Sequence, residues 1–333
     1  MACGRALDGA THNLDTTSSK TDCRSVQHDA GHAEICGQPQ TIAVLGPHAL
    51  DLLLSLDEQP DAYADVFVIH TGRVFDRPNQ QIPYLGDRIT TQPINLGNRD
   101  QPSLETLYAL QPDLVLGETG GSQATYEALS RIAPTILWDV RTQRGKWRHN
   151  IRQLAQALGD EKRADRAIAT YEHLVKEARK ALAPTVVTHS SVLLLGTNQL
   201  SHSITAITQN SYLGELFEGL GFELVSVPHN HGEPSTEISL EVLPNLAADT
   251  IFVLGHDLSA GNEAQSLSSG VLDRVLDRQI STTEKSWNEN AIAQSLPASQ
   301  RDQVYFVTYY LWNGLNGPIG AKLILDQLNR LLL

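Results

Sequence analysis

Ser103-Leu104-Glu105-Thr106-Leu107 leads through Leu110 to Asp113 and the apolar run Leu114–Leu116. At a constant offset of 136 residues, Ser239-Leu240-Glu241-Val242-Leu243 leads through Leu246 to Asp249 and Ile251–Leu254. Six of the eleven positions from Ser103 to Asp113 are identical in the second copy, which makes the match a repeat. In each copy helically spaced leucines give way to a continuous apolar run, the pattern of a short helix feeding a buried parallel strand. One copy in each half predicts an α/β protein of two similar lobes.

The flanking sequence extends this plan. Thr41–Leu45, Val66–Ile69 and Thr135–Trp138 read as buried strands of the first lobe, and Ser191–Leu195, Glu223–Val227 and Gln303–Thr308 as those of the second. Helical segments alternate with them, as in open α/β sheets. Between the lobes Asp160 can cap a helix whose stripe holds Ala164, Ala167, Ile168, Tyr171, Leu174, Val175, Ala178 and Leu182, with Pro184 after its end. Such a rod, ~34 Å long at 1.5 Å per residue, restricts hinge motion between lobes. The expected layout is a tether and cysteine loop over 1–37, an N-terminal lobe over 38–159, a connecting helix over 160–183 and a C-terminal lobe over 184–333.

Hydrophobic residues make up 41% of the 333 positions and charged residues 19%, an ordinary globular composition. Runs such as Val192–Leu195 fall far short of the roughly 18 residues of a membrane-spanning helix. A net charge of −13 excludes nucleic acid as a partner, because phosphate binding needs a basic face. The charge is uneven, however. Residues 73–152 carry 10 basic and 8 acidic side chains, whereas residues 184–333 carry 6 and 15. The basic segment includes Arg73, Arg77, Arg88, Arg99, Arg141, Arg144, Lys146 and Arg148.

The three cysteines are Cys3, Cys23 and Cys36. A Cys23–Cys36 disulfide in an oxidising compartment is the favoured reading, with free thiols and a zinc string of Cys23, His28, His32 and Cys36 as its rivals. Met1-Ala2-Cys3-Gly4, followed by a polar Thr/Ser-rich stretch, resembles a bacterial lipoprotein junction and makes Cys3 a lipidation candidate.

Catalytic signatures are missing: there is no G-x-G-x-x-G, P-loop, C-x-x-C or H-E-x-x-H. Gly120-Gly121-Ser122-Gln123-Ala124 approaches a nucleophile elbow without its last glycine, leaving a Ser122 hydrolase as a distant alternative. His229, His231 and His256 could ligate a divalent metal or haem, or could be solvated loop residues. Trp138 and Trp147 bracket Arg141, Arg144 and Lys146, while Tyr309, Tyr310 and Trp312 follow the strand ending at Thr308. Open sheets bind ligands at the carboxyl ends of their strands, and aromatic rings mixed with arginines there suit a bulky, partly apolar anion.

Several stretches carry a family resemblance: Cys23-Arg24-Ser25-Val26-Gln27-His28, Tyr84-Leu85-Gly86-Asp87-Arg88, Gln101-Pro102-Ser103-Leu104-Glu105, Pro112-Asp113-Leu114, Ile132-Ala133-Pro134-Thr135, and Trp312 through Leu325-Asp326. In this order they resemble the iron-siderophore substrate-binding proteins of ABC importers, close to cyanobacterial members. The resemblance implies two Rossmann-like lobes joined by one long α-helix, with the ligand in a shallow cleft between them. It implies a periplasmic or lipid-tethered monomer without catalysis or cofactor. Its partners would be a ferric siderophore, of hydroxamate or citrate-hydroxamate type, and an inner-membrane ABC permease.

Residue by residue, Arg99 matches the arginine that grips oxygens near iron in hydroxamate binders. Arg73, Arg88 and Arg141 are weaker candidates for that grip, and Tyr84, Tyr310, Trp312 and Trp138 are expected to pack against the ligand, with the filling of a core gap as the alternative for each Trp and an even one for Trp138. Glu105 and Glu218, one per lobe, match the acidic residues that the cobalamin-binding relative presents to its permease. Two departures stand out: the second lobe is poor in cations, and the Ser281–Asn290 segment around Trp287 is longer than the usual connection.

Overall fold

Continuous apolar runs form the inner strands of two sheets in the computed structural model, which describes residues 23–119, 125–139, 141–200, 203–228, 230–257 and 271–333. Cys3, Ser122 and His229 lie outside these residues. The strands of the first lobe are β1 (Cys23–His28), β2 (Gly31–Cys36), β3 (Ile42–Leu45), β4 (Ala62–Asp65), β5 (Ile94–Asn98), β6 (Gln101–Pro102), β7 (Leu114–Glu118) and β8 (Thr135–Trp138). Those of the second are β9 (Ser191–Thr197), β10 (Ile204–Ile207), β11 (Glu223–Leu224), β12 (Ser235–Ile238), β13 (Thr250–Gly255) and β14 (Val304–Thr308). The first sheet has the order β6-β5-β4-β3-β7-β8, parallel except at β6; the second has the order β12-β10-β9-β13-β14, with β11 also on β9.

The repeat holds in three dimensions. Ser103 caps the helix Leu104–Leu110 by accepting a hydrogen bond from the Thr106 N–H at 3.3 Å, and that helix leads into β7. In the second copy Leu240–Asn245 forms a 3₁₀ helix leading into β13. Pro244 sits inside that copy and cannot donate the backbone hydrogen bond that an α-helix requires there.

Three expectations need correction. The second strand of the first lobe is Ala62–Asp65, not Val66–Ile69. Its small alanines fit a fully buried strand flanked on both sides, while Val66 and Phe67 turn off its carboxyl end. The stretch Glu223–Val227 pairs only at Glu223 and Leu224, because β10 occupies the rest of that edge of β9. The connecting helix runs from Glu161 to Thr188, 28 residues or ~42 Å, and continues through Pro184. Its last turn is held from outside: Leu182 is fully buried, Val186 packs on the core, and the Thr185 hydroxyl donates to the Leu332 carbonyl at 3.3 Å.

Strands β1 and β2 form an antiparallel hairpin in which Cys23 faces Cys36, and the two are joined by a disulfide. Arg24 ties the hairpin to the helix Lys146–Ala157 through the Ala157 carbonyl and reaches the Gly37 carbonyl. The zinc reading fails because both sulfurs are in the disulfide and His28 is buried, accepting from the Ala30 and Leu137 amides. One apolar core runs from the first lobe through the connecting helix into the C-terminal helix Pro318–Leu332. Among the described residues no helix is long and apolar enough to cross a membrane.

Candidate functional site: a charged cleft between the lobes

The parallel strands of both sheets end at one cleft. Its pocket, ≈ 300 Å³, is lined from the first lobe by Pro47, Val66, Phe67, Arg99, Asp100 and Arg141, and from the second by His256, Gln279, Tyr309, Tyr310 and Gly314. Each follows the carboxyl end of a strand except Gln279, which comes from the helix Val271–Asn288. This is where open α/β sheets place ligands.

Glu118, the last residue of β7, organises the polar wall. Arg99 Nη1 lies 3.0 Å from its Oε1 and Arg141 Nη1 lies 2.6 Å from its Oε2. Burial opposes the charge of Glu118, but Arg141 and then Arg99 outweigh it and hold the carboxyl below its ordinary range. Gly46, at φ 112°, lets the backbone approach: a Cβ there would stand 2.8 Å from Glu118 Oε1. Arg99 Nε also faces Asp100 at 3.3 Å. Arg141 crosses the cleft, donating to the Gly314 and Asn313 carbonyls at 3.3 Å each.

The aromatic wall is layered. Tyr309 lines the pocket, stacks on His256 with ring centroids 4.1 Å apart, and accepts a hydrogen bond from the Asn313 amide at 2.6 Å. Burial, then Arg141, lowers the pKa of His256, keeping the ring neutral. Beneath, Tyr310 stacks on Phe67 and Tyr84 and donates to Asp65, whose carboxyl burial pushes up to about 6. The Tyr84 hydroxyl meets Thr308 Oγ1 at 2.6 Å, a second tie across the lobes.

Several expected site residues sit elsewhere. Trp138 is buried, bonded to Gln153 and packed on His48; Trp312 is fully buried, bonded to Gln327 among Phe217 and Phe252. Both indoles fill core space. Trp287 is likewise core, bonded to Ser299, so the Ser281–Asn290 stretch serves the cleft only through the helix that carries Gln279. Arg88 lines a separate groove of ≈ 690 Å³ along the connecting helix, and Arg73 is exposed outside the pocket. Tyr84 lies under the pocket rather than on it, and Tyr310 shows a ring there while its hydroxyl is occupied. Of the weaker arginine candidates only Arg141 reaches the cleft.

Glu105 is exposed in the first turn of its helix. Glu218 is ion-paired to Arg144 in a groove beside the connecting helix. The residue equivalent to Glu105 is Glu241, exposed in the first turn of Leu240–Asn245. Its signal was present in the repeat. Glu118 also had one: a carboxylate closing an apolar strand at its carboxyl end.

A model of the periplasmic binding protein family matches residues 42–310. The chain belongs to that family. This periplasmic binding protein is 24% identical over 310 residues to the Fe(3+)-citrate-binding protein YfmC of Bacillus subtilis, covering 92% of this chain and 85% of the relative. It is 25% identical over 304 residues to the Fe(3+) dicitrate-binding periplasmic protein FecB of Escherichia coli, covering 90% and 87%. The fold is that of Staphylococcus aureus SirA, crystallised with staphyloferrin B, at TM-score 0.69 and 22% identity over 92% of this chain and 97% of that one.

Proposed function

We propose that this periplasmic binding protein captures an Fe(III)-siderophore, of hydroxamate or citrate-hydroxamate type, and delivers it to an inner-membrane ABC permease. One observation carries the reading: Arg99 and Arg141 stand beside Phe67, Tyr309 and Tyr310 in a pocket built by both lobes. Guanidinium forks suit the oxygens around a chelated iron, and aromatic faces suit its organic scaffold. The cargoes in the names of YfmC and FecB, ferric citrate and ferric dicitrate, support a ferric chelate. Iron stays inside its chelate, so the protein supplies no metal ligand, needs no cofactor and performs no catalysis. It works as a periplasmic monomer with Cys3 as the lipid attachment site, and Glu105 faces the permease together with Glu218 or, as the repeat suggests, with Glu241.

A second reading has one observation in its favour. The imidazole of His256 and the phenol of Tyr309 share the pocket, where they could ligate haem or a metal ion directly; His231 is exposed on another loop. Titrations followed by absorbance and fluorescence separate the two. A ferric hydroxamate should saturate one site, while haem, divalent ions and a chromogenic ester produce no change. A shifted haem band, or ester turnover, would contradict the siderophore reading.

A further inference from the structure

The cleft has two guanidiniums, and the protein has already answered both. Glu118 takes one contact from Arg99 and one from Arg141, and Asp100 takes a second from Arg99. Two cations therefore meet two carboxylates at the pocket, and His256 adds no charge. Asp65, beneath Tyr310, adds negative rather than positive potential when ionised. The remaining lining is apolar or neutral. Among the described residues no cation other than Arg99 and Arg141 lines the pocket. The other members of the basic segment turn away: Lys146 pairs with Asp29, Arg148 with Glu215, and Arg144 with Glu218.

Resting on the siderophore reading above, we propose that Glu118 is a specificity-determining counter-anion: it lets the cleft take a ferric chelate of zero or one net negative charge and turns away highly charged ones. Three hydroxamates neutralise Fe(III), whereas three catecholates leave a trianion. A trianion entering a cleft of balanced charge meets the Glu118 and Asp100 carboxylates with no surplus cation among the lining residues to offset them. A neutral chelate needs only an N–H donor at the pocket and no surplus positive charge. Among the described residues no acceptor lies on Arg99 Nη2. Arg141 is also held by two carbonyls of the other lobe, so it stays in position without Glu118.

The test is calorimetric titration with ferrichrome, a neutral tris-hydroxamate, and ferric enterobactin, a trianionic tris-catecholate, at low and high salt. Wild type should favour ferrichrome by roughly tenfold or more, with little salt dependence. Glu118→Gln should shift the ratio toward ferric enterobactin by about ten- to a hundredfold and make that binding salt-sensitive. Asp100→Asn, at a half-exposed position that does not threaten folding, should shift it several-fold in the same direction. A wild type preferring the trianion, or an unchanged ratio in Asp100→Asn and in folded Glu118→Gln, overturns the charge selection while the siderophore function stands. Failure of every ferric chelate to bind overturns both.

Discussion

Arg99 is ion-paired before any cargo arrives, and that shapes what its removal does. A charged hydrogen bond to a chelate oxygen contributes roughly 1.5–3 kcal/mol, so Arg99→Ala should weaken ferric-siderophore binding about ten- to a hundredfold. It also strips one of two cations from buried Glu118, so the melting temperature should fall modestly, with Arg141 limiting the loss. Tryptophan quenching beside a melting curve reads both, and wild-type affinity would place the grip elsewhere. Asp65 makes a pH-dependent contribution. Its folded pKa of about 6 lies above the unfolded value, so the native state binds the extra proton between about pH 4 and 6 and stability falls as pH rises through that window. Asp65→Asn should raise stability at pH 7 by on the order of 2 kcal/mol and leave it nearly unchanged at pH 4; equal melting curves at both pH values would refute this. Arg99 and Tyr310 were legible as residues near strand ends, but not the pairings they make with Glu118 and Asp65. Sequence position did not reveal that Glu118 and Asp65 are buried beneath them, nor that the large indoles of Trp138 and Trp312 are core.

At the scale of elements, legibility followed the length of the apolar run. Strands β3, β7, β8, β9 and β13 are largely buried and continuous, β14 is a continuous apolar run that is half-buried over its first three residues, and all were readable. The strands β5, β10 and β12 are short, partly exposed or antiparallel, and left no such signature. The connecting helix outlasted its proline because tertiary contacts hold its last turn. The hairpin of β1 and β2 is another element fixed from outside, by Cys23–Cys36 and by Arg24 on Ala157. Alkylation of the native protein without reductant should leave both of these cysteines unmodified in the intact mass, and two added labels there would rule out the crosslink. Replacing the pair with serine should lower stability by about 2–3 kcal/mol.

For the whole molecule, the repeat made two lobes legible, while the 3₁₀ turn of its second copy and the antiparallel β10 and β12 set the second lobe apart from the first. Reversing Glu105 and Glu241 together should abolish uptake in cells and leave the dissociation constant of the purified protein within a few fold, since rim charges act on docking. Normal uptake by the double reversal would remove these residues from the permease surface. The lobes share one core and are tied across the cleft by Tyr310–Asp65, Tyr84–Thr308 and Arg141–Gly314, so cargo enters a formed site with little closure. The most direct test of that site is a crystal soaked with a ferric hydroxamate and measured at the iron absorption edge. The account predicts a single iron peak in the pocket between Arg99 and Tyr309, with chelate oxygens as its only ligands. A peak outside the cleft, or one bonded to His256 or Tyr309, would contradict it.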